Sequence, residues 1–367
     1  MSIPGTTRRI RTASLGLALV VAVGAGTPPA RGYTFETVEV APGVHAFVRP
    51  DPLVDADGNV TLIVNDEDAV VVDANATRGS TRAIVEAIRR ITDKPVRLVV
   101  NTHWHDDHVM GNQAYRDVWP GVTILAHPAT RRDFAARGPG NLEGFRTEAP
   151  SILARLRAAA ARGTRRDGAV YAPHERARLD RQIALFEEIV PDLPATRIVL
   201  PDVTLDGALV LHRGARTIEI RPSPTRAHTS GDLFVWLPAE RVLIAGDLVI
   251  APVPFALTSF VGSWAGALRE VMRLGPVAIV PGHGPVMREP AYVDRMIALF
   301  EDVDARAKDA VRRGLTLEQA KSAIDLADWR ERWGRGDGAL AETFRTFFEI
   351  PAVERSWREA AGTLGTD

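Results

Sequence analysis

The sequence predicts an α/β protein in which two β-sheets pack face to face between outer layers of helix. Three observations predict this. Strand-like segments fall into two groups, one before residue 127 and one from about residue 208. An Ala- and Arg-rich stretch, residues 140–195, separates them with little strand signal. Each group is interleaved with amphipathic helical segments, so each sheet gains a helical cover. The 367 residues, 46% hydrophobic and 25% charged, suit one large or two small globular domains.

The first 32 residues are set apart from the fold. Arg8, Arg9 and Arg11 precede an apolar run from Ala13 to Gly26, and Ala30-Arg31-Gly32 follows as a small-residue exit. A basic head, a short apolar core and such an exit describe a secretory signal peptide. The run is shorter than the roughly 18 residues of a spanning helix, so no stable membrane insertion is expected once it is cleaved. Thr7-Arg8-Arg9 hints at the twin-arginine route, although Arg11-Thr12 stands where that signal prefers apolar residues. A periplasmic or secreted protein is expected. Losing the leader's four arginines takes the net charge from −1 to −5.

The elements follow in order. Val44–Val48 reads as a strand, and Val60–Val64 and Ala69–Val72 as a hairpin around Asn65-Asp66-Glu67-Asp68. Ser80 is expected to cap a helix to about Ile91. Val96–Val100 is a strand, followed by a short helix from about His108 to Val118 and a strand Val122–Ala126. Residues 140–195 read as a helical insertion. Strands are expected at Ala208–His212, Thr217–Ile220, Leu233–Leu237 and Val242–Ala245, then a helix from about Ser263 to Leu274 and a strand Val277–Val280. After Pro290 the pattern is helical, and Thr316-Leu317-Glu318-Gln319 reads as a capping box. The expected organisation is a signal peptide (1–32), a catalytic domain (33–290) and a C-terminal helical extension (291–367). Those last helices could pack on the core, mediate homodimerisation or lid a site.

Composition excludes some functions. Lys+Arg total 45 against 46 Asp+Glu, so no broad basic field points to nucleic acid. There is no cysteine, which excludes disulfides, thiolate metal sites and cysteine nucleophiles. Any metal must be held by His, Asp or Glu.

The chemistry concentrates in Asn101-Thr102-His103-Trp104-His105-Asp106-Asp107-His108, just after a strand. His103 and His105, two apart on extended backbone, project to one side. Asp107 and His108 open the following helix, where the chain has turned. One tight loop can thus offer ligands to two adjacent ions, and imidazole with carboxylate suits Zn²⁺. His228, Asp247 and His283 each stand beside a strand end with a glycine nearby. His45, His127, His174 and His212 read as structural. Trp104, between two ligands, is expected to turn its ring away and pack.

These residues resemble the metallo-β-lactamase superfamily of metallohydrolases. His103 to His108 match its H-x-H-x-D-H signature; His228, Asp247 and His283 match the later His, Asp and His; the resemblance covers about residues 35–290. It implies a four-layer αββα sandwich with the active site at one edge between the sheets. His103, His105 and His228 would bind one zinc, Asp107, His108 and His283 a second, and Asp247 would bridge them with a hydroxide. Iron and manganese are also compatible with such a set. Asp73 matches an early strand-end aspartate that supports the metal loop. Ala227, Ser230 and Met110 depart from residues common at those positions.

The resemblance implies an exported hydrolase of a small molecule, whose dizinc hydroxide attacks an ester, lactone, thioester or amide carbonyl. Asp107 would orient the hydroxide and shuttle its proton. Bridging Asp rather than Cys or Ser makes a β-lactam specialist a secondary reading. A mononuclear-iron, persulfide-dioxygenase-like oxidoreductase and a non-catalytic partner-binding module are compatible with the same residues. Residues 49–58 and Ala251–Phe255 are expected to flank the pocket.

Overall fold

The computed structural model describes residues 33–50 and 57–365. The expected signal peptide lies outside these residues, as does the middle of the 49–58 loop. In the first half, strands β1 (Glu36–Ala41), β2 (Val44–Val48), β3 (Val60–Val64) and β4 (Ala69–Val72) form an antiparallel meander. Helix α1 (Arg78–Ile91) crosses to the parallel strand β5 (Val96–Val100). Short helices α2 (Asp106–Val109) and α3 (Asn112–Val118) lead to β6 (Thr123–Ala126). A helical hairpin, α4 (Pro128–Arg162) and α5 (Pro173–Asp192), precedes the edge strand β7 (Val203–Thr204). The first sheet runs β1 to β7 in order.

The second half contributes β8 (Leu209–Arg213), β9 (Arg216–Pro222), β10 (Leu233–Leu237) and β11 (Val242–Ile250) as a meander. Helix α6 (Val261–Met272) crosses to β12 (Ala278–His283), parallel to β11. Helices α7 (Ala291–Arg312), α8 (Leu317–Ala323), α9 (Ala327–Gly334), α10 (Gly338–Phe344) and α11 (Ile350–Ala360) end the described chain, with a π-helical turn at Arg345–Glu349 before α11. Among the described residues no helix is long and apolar enough to cross a membrane.

Side-chain alternation builds the layers. Val70 and Val72 of β4, with Leu98 and Val100 of β5, meet Val235 and Leu237 of β10 and Val242 and Ile244 of β11 between the sheets. The opposite face of the first sheet, including Val71 and Val99, packs on Ile84, Val85 and Ile88 of α1. The opposite face of the second, including Trp236 and Leu243, packs on Trp264 of α6 and Phe300 of α7, and Trp333, Phe344 and Phe348 continue that cluster. Strands covered on both faces are apolar at nearly every position, as in the wholly buried β10 and β11. This is the expected α/β sandwich.

Four local expectations are corrected. Thr77, not Ser80, caps α1: its hydroxyl accepts from the Ser80 amide at 3.1 Å, and the Ser80 hydroxyl accepts from the Thr77 amide at 3.3 Å. The helix expected from His108 to Val118 is two helices, broken at Gly111, where a Cβ would lie 1.8 Å from the Thr81 hydroxyl. The helical insertion starts at Pro128 rather than residue 140. Pro139 and Pro150 lie within α4, so residues that usually break a helix concealed its length. Finally, β11 does not stop before Asp247. It bulges at Gly246, φ 51°, where its register against β12 shifts, and then continues to Ile250.

Candidate metal centre

Strand direction brings the predicted donors to one edge. β4, β5 and β6 are parallel, so Asp73 after β4 and the His103–His108 loop after β5 emerge at the same end. β11 and β12 are parallel and present Asp247 and His283 towards their carboxyl ends. β10 is antiparallel to β11, so His228, just ahead of β10, meets them there. The Leu233 amide donates to the Thr102 carbonyl at 2.7 Å and ties the two sheets together at this edge.

All seven predicted donors converge. Ligating atoms of His103, His105, His228 and Asp247 lie within 4.8 Å of one another, and so do those of Asp107, His108 and His283. Asp247 spans both groups. Its Oδ2 is 3.3 Å from His228 Nε2 and 3.7 Å from His103 Nε2; its Oδ1 is 3.4 Å from His108 Nε2 and 3.7 Å from His283 Nε2. Asp107 Oδ2 lies 2.9 Å from His283 Nε2 and 3.2 Å from His108 Nε2.

Hydrogen bonds behind the rings set which nitrogen faces inward. Thr102 donates its hydroxyl to Asp73 Oδ2 at 2.8 Å, so its oxygen is free to accept from His103 Nδ1 at 3.1 Å. His108 Nδ1 donates to Asp73 Oδ2 at 2.9 Å. Thr258 donates its hydroxyl to the His228 carbonyl at 3.3 Å and accepts from His105 Nε2 at 3.0 Å. These tautomers, assigned from the network, leave lone pairs on His103 Nε2 and, on His108 once it is deprotonated, on Nε2, and also on His105 Nδ1. The last lies 2.9 Å from His228 Nε2.

The donor set fits a pair of cations. His103 Nε2 and Asp247 Oδ1 are buried and have no hydrogen-bond partner, an arrangement that costs about 1–3 kcal/mol per group when nothing compensates. Imidazole rings crowd at centroid separations of 4.2–4.9 Å around His103. A divalent ion in each donor group would satisfy these lone pairs and offset the like-charged carboxylates.

Sequence reasoning missed several supports. Asn59 is buried, and its amide donates to the Pro281 carbonyl at 2.9 Å and the Gly284 carbonyl at 2.8 Å, bracketing His283. Gly58 lies against the His108 ring, where a Cβ would fall 2.4 Å from Cε1. Thr258 holds His105, and Arg355 of α11 donates to the Thr258 carbonyl at 2.5 Å. Residues so distant in sequence carry no pattern tying them to the motif; Thr102, inside it, was the one legible from position. Asp73 takes its expected role, also accepting from the Thr102 amide at 2.7 Å. Trp104 packs with Val109, Met110 and Phe134, so Met110 lies beneath the loop. His127 caps α4, accepting from the Ala129 amide at 3.1 Å. Of the 251–255 segment, Phe255 does reach the site, its ring centroid 6.0 Å from that of His283.

Thr258→Val is expected to weaken metal binding about 10–100-fold, with Thr258→Ser restoring it. Competition with a chromophoric chelator measures this; unaltered affinity in the valine variant would count against the role.

The two donor groups differ in protonation before metal arrives. Burial pushes His105 down to about 4 and His228 down to about 3, and lowers His103 well below the ordinary imidazole range. Burial opposes charge on His108 and His283 too, but Asp107 and Asp247 outweigh it and raise both, with Asp73 adding to the effect on His108. A raised imidazole must lose its proton on ligation. Uptake at the Asp107–His108–His283 group should therefore release protons at neutral pH, and its affinity should fall as pH falls through the neutral range. The other group, already neutral, should change little over that window. Calorimetric metal titrations in buffers of different ionisation enthalpy check this; equal proton release at both steps would refute it.

Fold and centre together define a metal-dependent hydrolase, two sheets carrying a paired His/Asp donor site at one edge. The chain matches the metallo-β-lactamase superfamily over residues 54–283 and belongs to that superfamily. It is 22% identical over 289 residues to a linear primary-alkylsulfatase from Pseudomonas sp. (strain ATCC 19151), covering 72% of this chain and 49% of that protein. The chain thus spans about half the length of this curated relative. Among solved structures it resembles a metallo-β-lactamase from Pontibacter korlensis, at TM-score 0.51 and 17% identity over 73% of this chain and 100% of that one. It also resembles a stereoselective inverting sec-alkylsulfatase from Pseudomonas sp., at TM-score 0.57 and 16% identity over 89% of this chain and 49% of that one. These structural likenesses show the fold.

Proposed function

We propose that this protein hydrolyses an ester, lactone, thioester or amide bond of a small molecule outside the cytoplasm, with two zinc ions as its resident metals. One observation carries the reading: the two oxygens of Asp247 face the two donor groups separately, which suits a carboxylate shared between two cations. His103, His105 and His228 would hold one ion and Asp107, His108 and His283 the other. When bound, such a pair supplies Lewis acidity and a water-derived nucleophile at neutral pH.

The chain's own residues do the rest. Asp73, Thr102 and Thr258 lock the imidazoles so that fixed lone pairs face the reacting centre and little reorganisation is needed. Asp107 is more open than Asp247, its side chain 21% exposed against 2%. Its Oδ2 is therefore the atom suited to take and return a proton beside the substrate. The buried rings of Trp104 and Trp264 back the histidines and keep bulk water from behind them.

The test is turnover by zinc-, manganese- and iron-loaded protein of carboxylic esters, lactones, thioesters, amides, β-lactams and alkyl sulfates, before and after chelation. Chelator-sensitive carbonyl hydrolysis with zinc is expected, and absence of any hydrolysis with all three metals would sink the reading. The alkylsulfatase relative favours a second reading, cleavage of a sulfate ester at the same centre, which the same panel separates. For export, fractionation of the native host with N-terminal sequencing should find a chain beginning near Tyr33 outside the cytoplasm.

A further inference from the structure

The C-terminal helices reach the metal centre. Phe255, just before Ala256-Leu257-Thr258, places its ring 6.0 Å from His283 and 5.1 Å from Phe347. The Ala256 amide donates to the Phe347 carbonyl at 2.8 Å, and Thr258 holds His105. Leu257 therefore sits between a residue fixed to the C-terminal helices and a residue fixed to a metal-centre histidine. Phe347 belongs to the π-helical turn Arg345–Glu349, a kind of irregularity often found at functional positions. Ile350 follows three residues later, where the π-helical turn passes into α11.

This rim is apolar and open. Leu257 is 55% exposed, Phe347 38% and Ile350 53%. The other large apolar side chains left exposed among the described residues, Val170, Val203, Val210 and Val277, stand apart on other elements. A ramp thus runs from His283 over Phe255 to Phe347, with Leu257 and Ile350 close to them along the chain. It carries no ionisable side chain of its own and is continuous with the centre where bonds would be broken. Exposed apolar groups gathered beside a reacting centre have a use if the substrate brings an apolar part to cover them.

We infer that Phe255, Leu257, Phe347 and Ile350 form a subsite for the apolar chain of the substrate, an alkyl or aryl group attached to the bond that is cleaved. This rests on the hydrolase reading above and narrows its substrate class. The occupant is a substrate chain, since Phe255 joins this exposed apolar surface to a metal-centre histidine.

The experiment uses zinc-loaded full chain and two homologous series, p-nitrophenyl esters from acetate to decanoate and 1-alkyl sulfates from C4 to C12. In the hydrolysed series, kcat/KM is expected to rise about two- to fourfold per added methylene over several carbons, carried mainly by KM. Phe347→Ser should flatten that slope, lowering the decanoate-to-acetate ratio about tenfold or more. Ile350→Ser, further out on the helix, should truncate the rise at a longer chain length; Val170→Ser, remote from the ramp, should leave the ratio alone. A slope unchanged in both ramp variants overturns the subsite. So does a dimer, seen by sedimentation, that Phe347→Ser dissociates, because a second copy would then cover the patch. If neither series is turned over, the hydrolase reading is judged by the wider panel above, and calorimetry decides the subsite independently. Decanoate binding tighter than acetate, lost in Phe347→Ser, upholds it; equal binding rejects it.

Discussion

Asp247→Asn is expected to lower kcat/KM about 10³-fold or more and, on the two-ion reading proposed above, to reduce tightly held metal from two ions per chain to one or fewer. The substitution keeps the shape of the side chain and removes its charge. Asp247 Oδ1 faces His108 and His283 while Oδ2 faces His103 and His228, so one change weakens both donor groups. Loss of several kcal/mol of electrostatic stabilisation at a two-metal site corresponds to that factor in rate. The side chain is 2% exposed, and water cannot replace it. Metal analysis after gel filtration, with steady-state kinetics on whichever ester is turned over, checks the result. A variant that retains two ions and wild-type turnover would remove the basis for a shared carboxylate.

Asp73→Asn should lower metal affinity about 10–100-fold and metal-free stability by about 1–3 kcal/mol. Asp73 accepts from the Thr102 amide and hydroxyl and from His108 Nδ1. An asparagine turns one acceptor into a donor, which then meets a donor from Thr102 or His108. Asp73 also has φ 69°, a left-handed conformation that Asn tolerates better than most residues. Asp73→Ala should therefore cost about 1–2 kcal/mol more than Asp73→Asn. Urea denaturation of the metal-free variants measures both, and chelator competition measures the affinities. Wild-type metal affinity in Asp73→Asn would reduce Asp73 to a turn residue.

Much of this centre was legible because its chemistry is local. Strand Val96–Val100 and the His103–His108 loop lie side by side in sequence, and alternation on extended backbone is enough to point His103 and His105 the same way. Strand β10 has the bounds its apolar run predicts. Where elements rely on distant partners, sequence and structure part. Gly111 breaks a helix because it abuts Thr81, and Gly246 bends β11 because it abuts Thr102; neither neighbour is near in sequence. Pro139 and Pro150 read as helix breakers, yet α4 continues through both.

By itself, the sequence determined which side chains can hold a metal: with no cysteine, only His, Asp and Glu remained, and three histidines in six residues marked the loop. It also determined the two-sheet pattern, since alternation and apolar runs are local properties of the backbone. Tertiary structure alone decided that Asp247 faces two groups at once, that Asn59, Gly58 and Thr258 brace the histidines, and that Phe347 comes to the rim of the site. These relations join segments tens to hundreds of residues apart, and only the packing of one sheet on the other, with helices closing the outside, brings such segments within a few ångströms.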